Sequence, residues 1–189
     1  ELSINLALQG KKVVVVSSGD PGVFAMASAI FEVVDKKNIS RDDLPIVVLP
    51  GITALLAASA RLGAPIGHDF CVINLSDNLK SWDILKSRVI AAAKADFVIA
   101  FYNPRSKSRK NQLSEIYDVL RKNCKSDRIV IYANSISTES EAVFETTLSE
   151  ADASSVSMKT LVIIGSSRTK KIRNTGYIYT PRYSGVEKN

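Results

Sequence analysis

Residues 13–27 read VVVVSSGDPGVFAMA. Four consecutive valines disfavour a helix, because the two heavy atoms on each Cβ crowd the preceding turn, and they favour extended backbone. An unbroken apolar run, rather than an alternating one, predicts a strand buried on both faces, as in a parallel sheet covered by helices. The Ser-Ser-Gly-Asp-Pro-Gly that follows is turn chemistry, so the turn falls at the strand's carboxyl end. In open α/β sheets ligands gather at that end, where loops converge beside helix N-termini with free N–H groups.

The pattern repeats along the chain. Residues 2–10 read as the tail of a helix that Gly10 stops, and residues 22–37 as a helix with Val23, Met26, Ala27, Ile30, Phe31 and Val34 on one side. Residues 46–49 form the next expected strand, ending in Pro-Gly, and residues 52–62 an alanine-rich helix able to pack closely on a sheet. Gly63, Pro65 and Gly67 then interrupt regular structure and mark a linker. The expected organisation is α/β: an N-terminal domain with a parallel sheet over residues 1–66 and a C-terminal domain with a mixed sheet over residues 67–189. In the second domain strands are expected near 70–75, 97–101, 129–132 and 161–164, and helices over 81–94 and 108–122. Two further strands, in EAVFETTL and GYIYT, do not alternate with helices, hence the mixed sheet.

The 189 residues are 46% hydrophobic, enough for one good core or two small ones. A formal charge of +6 favours anionic partners, and nucleic acid, a membrane surface and a polycarboxylate small molecule all fit it, as does a solvated basic surface. Cys71 and Cys124 stand far apart with no CxxC companion, which indicates neither a disulfide framework nor a cysteine zinc site and fits a reducing cytoplasm. The first ten residues lack the basic segment and cleavage site of a secretory signal, and Lys94 and Asp96 break the longest apolar stretch. A soluble cytoplasmic protein is expected.

Three turns stand at the ends of expected strands: SSGDPG (17–22), LPGITA (49–54) and FYNPRS (101–106). Each alone is explained by what turns require, but their recurrence at the same end of successive strands would gather them around one cleft. Neither GxGxxG nor GxxxxGK[ST] occurs, so a ligand without a phosphate chain is favoured; neither HExxH nor a His or Cys cluster offers a metal site. His68 is the single histidine, better read as structural or at the substrate's edge in the linker than as a base. Arg105, Lys107, Arg109 and Lys110 crowd the expected start of a helix, where cations oppose the dipole, so either a solvated basic face or a carboxylate or phosphate partner accounts for them.

This combination resembles the tetrapyrrole methylases. GDPGVF, PGITA and the alanine-rich helix are family-wide signals; GAPIGHDFCVINLSD, FYNPRSKSRKNQL and VIIGSSRT with GYIYTPR resemble the branch that acts on corrin precursors. The resemblance covers most of the chain from Gly10 to Tyr183. It implies two α/β domains with a cleft between them, a homodimer, S-adenosylmethionine as methyl donor with S-adenosylhomocysteine as product, and methylation at C17 of precorrin-3B with ring contraction in cobalamin biosynthesis. It places Ser18, Gly19, Asp20 and Val23 against the cofactor, together with Thr53, Ala54, Tyr102 and Asn103, and less directly Asn134, Thr180 and Pro181. Family members begin with a strand and a GxGPGD-like loop, which this sequence does not show, so a fragment is expected.

The two lines of reading meet on charge. A precorrin carries acetate and propionate arms, and Arg105, Lys107 and Arg109 are the expected contacts for this polyanion. Methyl transfer from a sulfonium needs alignment rather than a triad; ring contraction needs a proton donor or acceptor, for which Asp20 and His68 are the candidates. A small-molecule tetrapyrrole is the expected partner, with no nucleic acid or membrane. The competing readings are a methylase of the same scaffold acting on RNA or a protein side chain, and a non-catalytic remnant.

Overall fold

The computed structural model describes residues 1–106 and 108–183. It divides into two compact units, Glu1–Ala54 and Leu55–Asn189. The break expected at 66/67 lies further along the chain, and α3 (Ala54–Leu62) explains the difference. Its buried residues Leu55, Ala58 and Leu62 share one helix face and pack with Val98, Ala100, Ile131, Ala133 and Ile163 of the second unit's sheet.

In the first unit α1 (Leu2–Leu8) ends at Gln9 and a left-handed Gly10, as the sequence predicts, and α2 spans Met26–Lys36. Helix α2 starts later than expected because Asp20 holds Pro21 and Gly22 in a turn, Phe24 is left-handed (φ 52°) and Ala25 is extended. The two expected strands differ more. Val13, Val14, Val15 and Val16 are 36%, 84%, 40% and 87% exposed, a strand-like alternation but not burial on two faces. Among the described residues no ladder pairs either 13–17 or 46–49. β-branched side chains bias a residue's own backbone, whereas a ladder needs a neighbour, which local pattern does not supply. The two segments, with Ile4, Ala27 and Phe31, line a groove of about 580 Å³.

The second unit follows the sequence closely. After α3 come β1 (Gly63–Ala64), β2 (Phe70–Asn74), α4 (Trp82–Lys94), β3 (Val98–Tyr102), α5 (Gln112–Asn123), β4 (Ile129–Asn134), β5 (Ala142–Thr147), β6 (Thr160–Ile164), β7 (Lys170–Lys171) and β8 (Ile178–Tyr179). The main sheet has the order β2-β3-β6-β4-β5, with β2 parallel to β3 and the other pairs antiparallel, which is the expected mixed sheet. A small second sheet joins β1, β8 and β7. Along β3 the period-two alternation sends Val98 and Ala100 toward α3, and Ile99 and Phe101 into the cluster with Leu85 and Val89 of α4 and Leu113, Ile116 and Leu120 of α5. Ser81 caps α4, its Oγ accepting from the Ile84 amide at 3.4 Å.

Because β6 runs antiparallel to both β3 and β4, the carboxyl ends of β2, β3 and β4 share one edge with the start of β6. Asn74 faces Tyr102 in register, and Asn134 faces Thr160. Among the described residues no helix is long and apolar enough to cross a membrane.

Candidate functional site

In the first unit the turns 17–22 and 49–54 meet backbone to backbone. The Asp20 carboxylate fastens them: Oδ1 accepts from the Gly22 amide at 2.8 Å and Oδ2 from the Gly51 amide at 3.0 Å. Gly19 is left-handed (φ 70°), and a side chain on Gly51 would overlap the Gly19 carbonyl. Ser18 and Gly19 remain exposed at the tip, Val23 donates its amide to the Asp20 carbonyl at 3.2 Å, and Thr53 and Ala54 lead into α3 half-buried. The two turns that the sequence pairs by position are therefore paired in space.

The bonds from the Gly51 and Gly22 amides hold the Asp20 carboxyl below its usual pKa. It stays ionised at neutral pH, which suits a structural tie and not a proton donor. The linkage follows: a depressed folded pKa stabilises the tie above the unfolded value of about 3.9 and loses it as pH falls through the lower folded value. We expect the Gly22 and Gly51 amide protons to shift together in an NMR titration, with a common midpoint below the ordinary aspartate range. Midpoints that differ would separate the two bonds.

In the second unit the carboxyl edge is lined by polar groups. The Tyr102 hydroxyl accepts from the Leu55 amide at 2.8 Å and so caps α3. Asn103 is left-handed (φ 51°), and its Nδ2 donates to Asn74 Oδ1 at 3.1 Å. Asn134 Oδ1 accepts from Thr160 Oγ1 at 3.2 Å. Tyr102, Asn103 and Asn134 thus lie along one edge, joined by Asn74 and Thr160, which the sequence reading did not single out. Register brings those two in, and residue type alone does not mark it. Tyr102→Phe strands the half-buried Leu55 amide, and a loss of about 1–3 kcal/mol of unfolding free energy is expected in urea titrations.

Other expected site residues are placed elsewhere or engaged internally. His68 precedes β2 and so lies at the opposite, amino-terminal edge of the main sheet. Thr180 is 2% exposed; its Oγ1 donates to the Pro65 carbonyl at 2.5 Å and its amide to the Ala64 carbonyl at 3.0 Å, and Pro181 beside it is buried. These two secure the small sheet. Helix α5 begins at Gln112, not near 108, so the basic residues precede the helix instead of filling its first turn. Arg105 Nη1 donates to the carbonyls of Ala153 and Ser154, each at 2.7 Å. Arg109 is 8% exposed, with Nη1 on the carbonyls of Leu75 (3.2 Å) and Asn103 (3.0 Å). Loop carbonyls, not a solvated face, explain both arginines. Lys107 lies outside the described residues, and Lys110 is exposed.

Each unit thus builds its own polar cluster at the carboxyl ends of apolar segments. The family model described as Tetrapyrrole (Corrin/Porphyrin) Methylases matches residues 1–152, and the chain belongs to that family. It is 45% identical over 186 residues to the Precorrin-3B C(17)-methyltransferase of a Sinorhizobium species, covering 97% of this chain and 73% of that protein. To the Probable cobalt-factor III C(17)-methyltransferase of Salmonella typhimurium it is 40% identical over 182 residues, 96% of this chain and 73% of the relative. Among solved structures, that of the methyltransferase CobJ superposes with a TM-score of 0.88 at 46% identity, covering 94% of this chain and 73% of CobJ. A uroporphyrin-III C-methyltransferase of Thermus thermophilus, solved with S-adenosylhomocysteine, shares the fold alone (TM-score 0.61, 18% identity, 86% of this chain and 69% of that one).

Proposed function

We propose that the protein transfers the methyl group of S-adenosylmethionine to C17 of a corrin precursor, precorrin-3B or its cobalt-bearing counterpart, with ring contraction, in cobalamin biosynthesis. The observation that carries this is 45% identity over 97% of the chain to a relative named for that reaction. The site chemistry fits the donor. Exposed backbone at Ser18 and Gly19 suits its amino-acid end, and the amide and hydroxyl groups of Tyr102, Asn103 and Asn134 suit a nucleoside's hydrogen-bonding edge. When bound, the sulfonium donor supplies both the electrophilic methyl and its own leaving group.

This chain's residues would then hold and orient the reactants and exclude water. The net charge of +6 favours approach of a polycarboxylate macrocycle, and Lys110 is an exposed cation of the basic segment open to its arms. The proposal extends to a homodimer, on the family resemblance, which sedimentation equilibrium checks. The decisive test incubates the protein with precorrin-3B, and separately with cobalt-factor III, and a ¹³C-methyl donor. A product one methyl heavier and labelled at C17 is expected; label at another carbon, or none with either substrate, overturns the assignment.

A further inference from the structure

Asn103 is a non-glycine residue in the left-handed region (φ 51°), and it precedes Pro104. The residue before a proline is sterically driven toward extended backbone, so this conformation is doubly unfavourable, on the order of 1–3 kcal/mol. Such geometry persists only where the surroundings impose it. Here they do so twice. The Asn103 side chain donates to Asn74 Oδ1 at 3.1 Å, itself fixed by the Ser76 amide at 2.9 Å. The Asn103 carbonyl is gripped by Arg109 Nη1 at 3.0 Å, which also takes the Leu75 carbonyl at 3.2 Å.

The guanidinium is otherwise enclosed by its own protein. Arg109 is 8% exposed, its Nη2 lies 3.7 Å from Met158 Sδ and its Nε 3.8 Å from Asp77. One buried cation therefore joins the segments that leave β2 and β3 at the carboxyl edge. A planar fork can serve two carbonyls while its other nitrogens face a thioether and a carboxylate; a lysine ammonium has no such fixed spread.

We propose that Arg109 is a positioning residue for the methyl donor: by holding the Asn103 carbonyl it fixes the left-handed turn that sets Tyr102 and Asn103 at the carboxyl edge, and it does not contact the tetrapyrrole. This rests on the functional reading above and sharpens it, since it assigns the basic segment's buried arginine to the cofactor instead of the polyanion.

The test is a double-mutant cycle in the protein expressed from its complete gene. Glycine adopts positive φ without steric penalty, so Asn103→Gly removes the need for the clamp. S-adenosylhomocysteine is the calorimetric probe. Arg109→Met is expected to raise its Kd about tenfold in the parent, equivalent to about 1.4 kcal/mol, and less than about twofold in the Asn103→Gly background. The donor KM should rise while the tetrapyrrole KM holds, and Arg109→Lys should not rescue. Arg128→Met, at a buried arginine on the opposite sheet edge, should lower the Tm and leave the Kd unchanged. Should Arg109→Met prove too unstable, Arg109→Lys carries the same cycle. A parent-like Kd in the Arg109 variants, an equal rise in both backgrounds, or a rise confined to the tetrapyrrole KM overturns the assignment while leaving the functional reading intact. A parent protein that does not bind the probe overturns both.

Discussion

Gly51→Ala is expected to abolish tight donor binding. The added Cβ would overlap the Gly19 carbonyl oxygen and come within 3.0 Å of its carbon and 3.4 Å of Asp20 Cα. All three are backbone atoms, so no side chain can rotate away, and one turn must move bodily. That movement breaks the 3.0 Å bond from the Gly51 amide to the Asp20 carboxylate and separates the two turns proposed to hold the donor. Gly51 itself does not need positive φ, so the effect isolates crowding from conformational strain. We expect a rise in the S-adenosylhomocysteine Kd of at least about tenfold, or 1.4 kcal/mol, by calorimetry. Gly10→Ala is the contrast, since nothing lies within 4 Å of its Cβ position and only the left-handed backbone is penalised. Equal affinities for the two variants would show that the turns need not touch.

The largest effect on stability is expected at Asp96. Its Oδ1 meets Arg128 Nη2 at 2.5 Å and the Ser167 amide at 2.8 Å, and its Oδ2 accepts from Ser167 Oγ at 2.6 Å. Arg128 is 7% exposed, and its Nε is buried without a hydrogen-bond partner among the described residues. Asp96→Ala would leave that guanidinium charged and enclosed, with only the Gly165 carbonyl, at 3.3 Å, still accepting from it among the described residues. Removing one member of a buried pair costs about 3–5 kcal/mol, and because Asp96 is itself 40% exposed we place the loss near the lower figure. Asp96→Asn keeps an acceptor and tolerates the residue's φ of 60°, so a smaller loss is expected. The urea midpoint measures both; an alanine variant as stable as the parent would mean that water reaches Arg128.

Particular elements show how far the sequence carries. Helices α1, α4 and the core of α3 were readable because their signals are local: Gly10 as a stop, Ser81 as a cap, and apolar spacing at Leu55, Ala58 and Leu62. Strands β3, β4 and β6 were readable because a β-branched run inside a covered sheet is both the local preference and the tertiary result. The valine run 13–16 shares that preference and yet forms no ladder among the described residues. For the candidate site, turn chemistry and family resemblance pointed to Ser18, Gly19, Asp20, Tyr102, Asn103 and Asn134, but they did not reveal the task of Asp20 as a tie between two turns. The internal partners of the arginines were not legible: a cation near a helix start looks available to an anion, and sequence does not show the carbonyls of Leu75, Asn103, Ala153 and Ser154 that accept from Arg109 and Arg105.

By itself the amino-acid order determined which segments are apolar, where the chain must bend and how much positive charge it carries, because these depend on a residue and its immediate neighbours. Only the tertiary structure decided that Asn74 stands beside Asn103, that Asp20 reaches Gly51 and that Arg109 faces inward. Those are contacts between residues far apart in sequence, set by sheet register and loop closure, and no local periodicity encodes them.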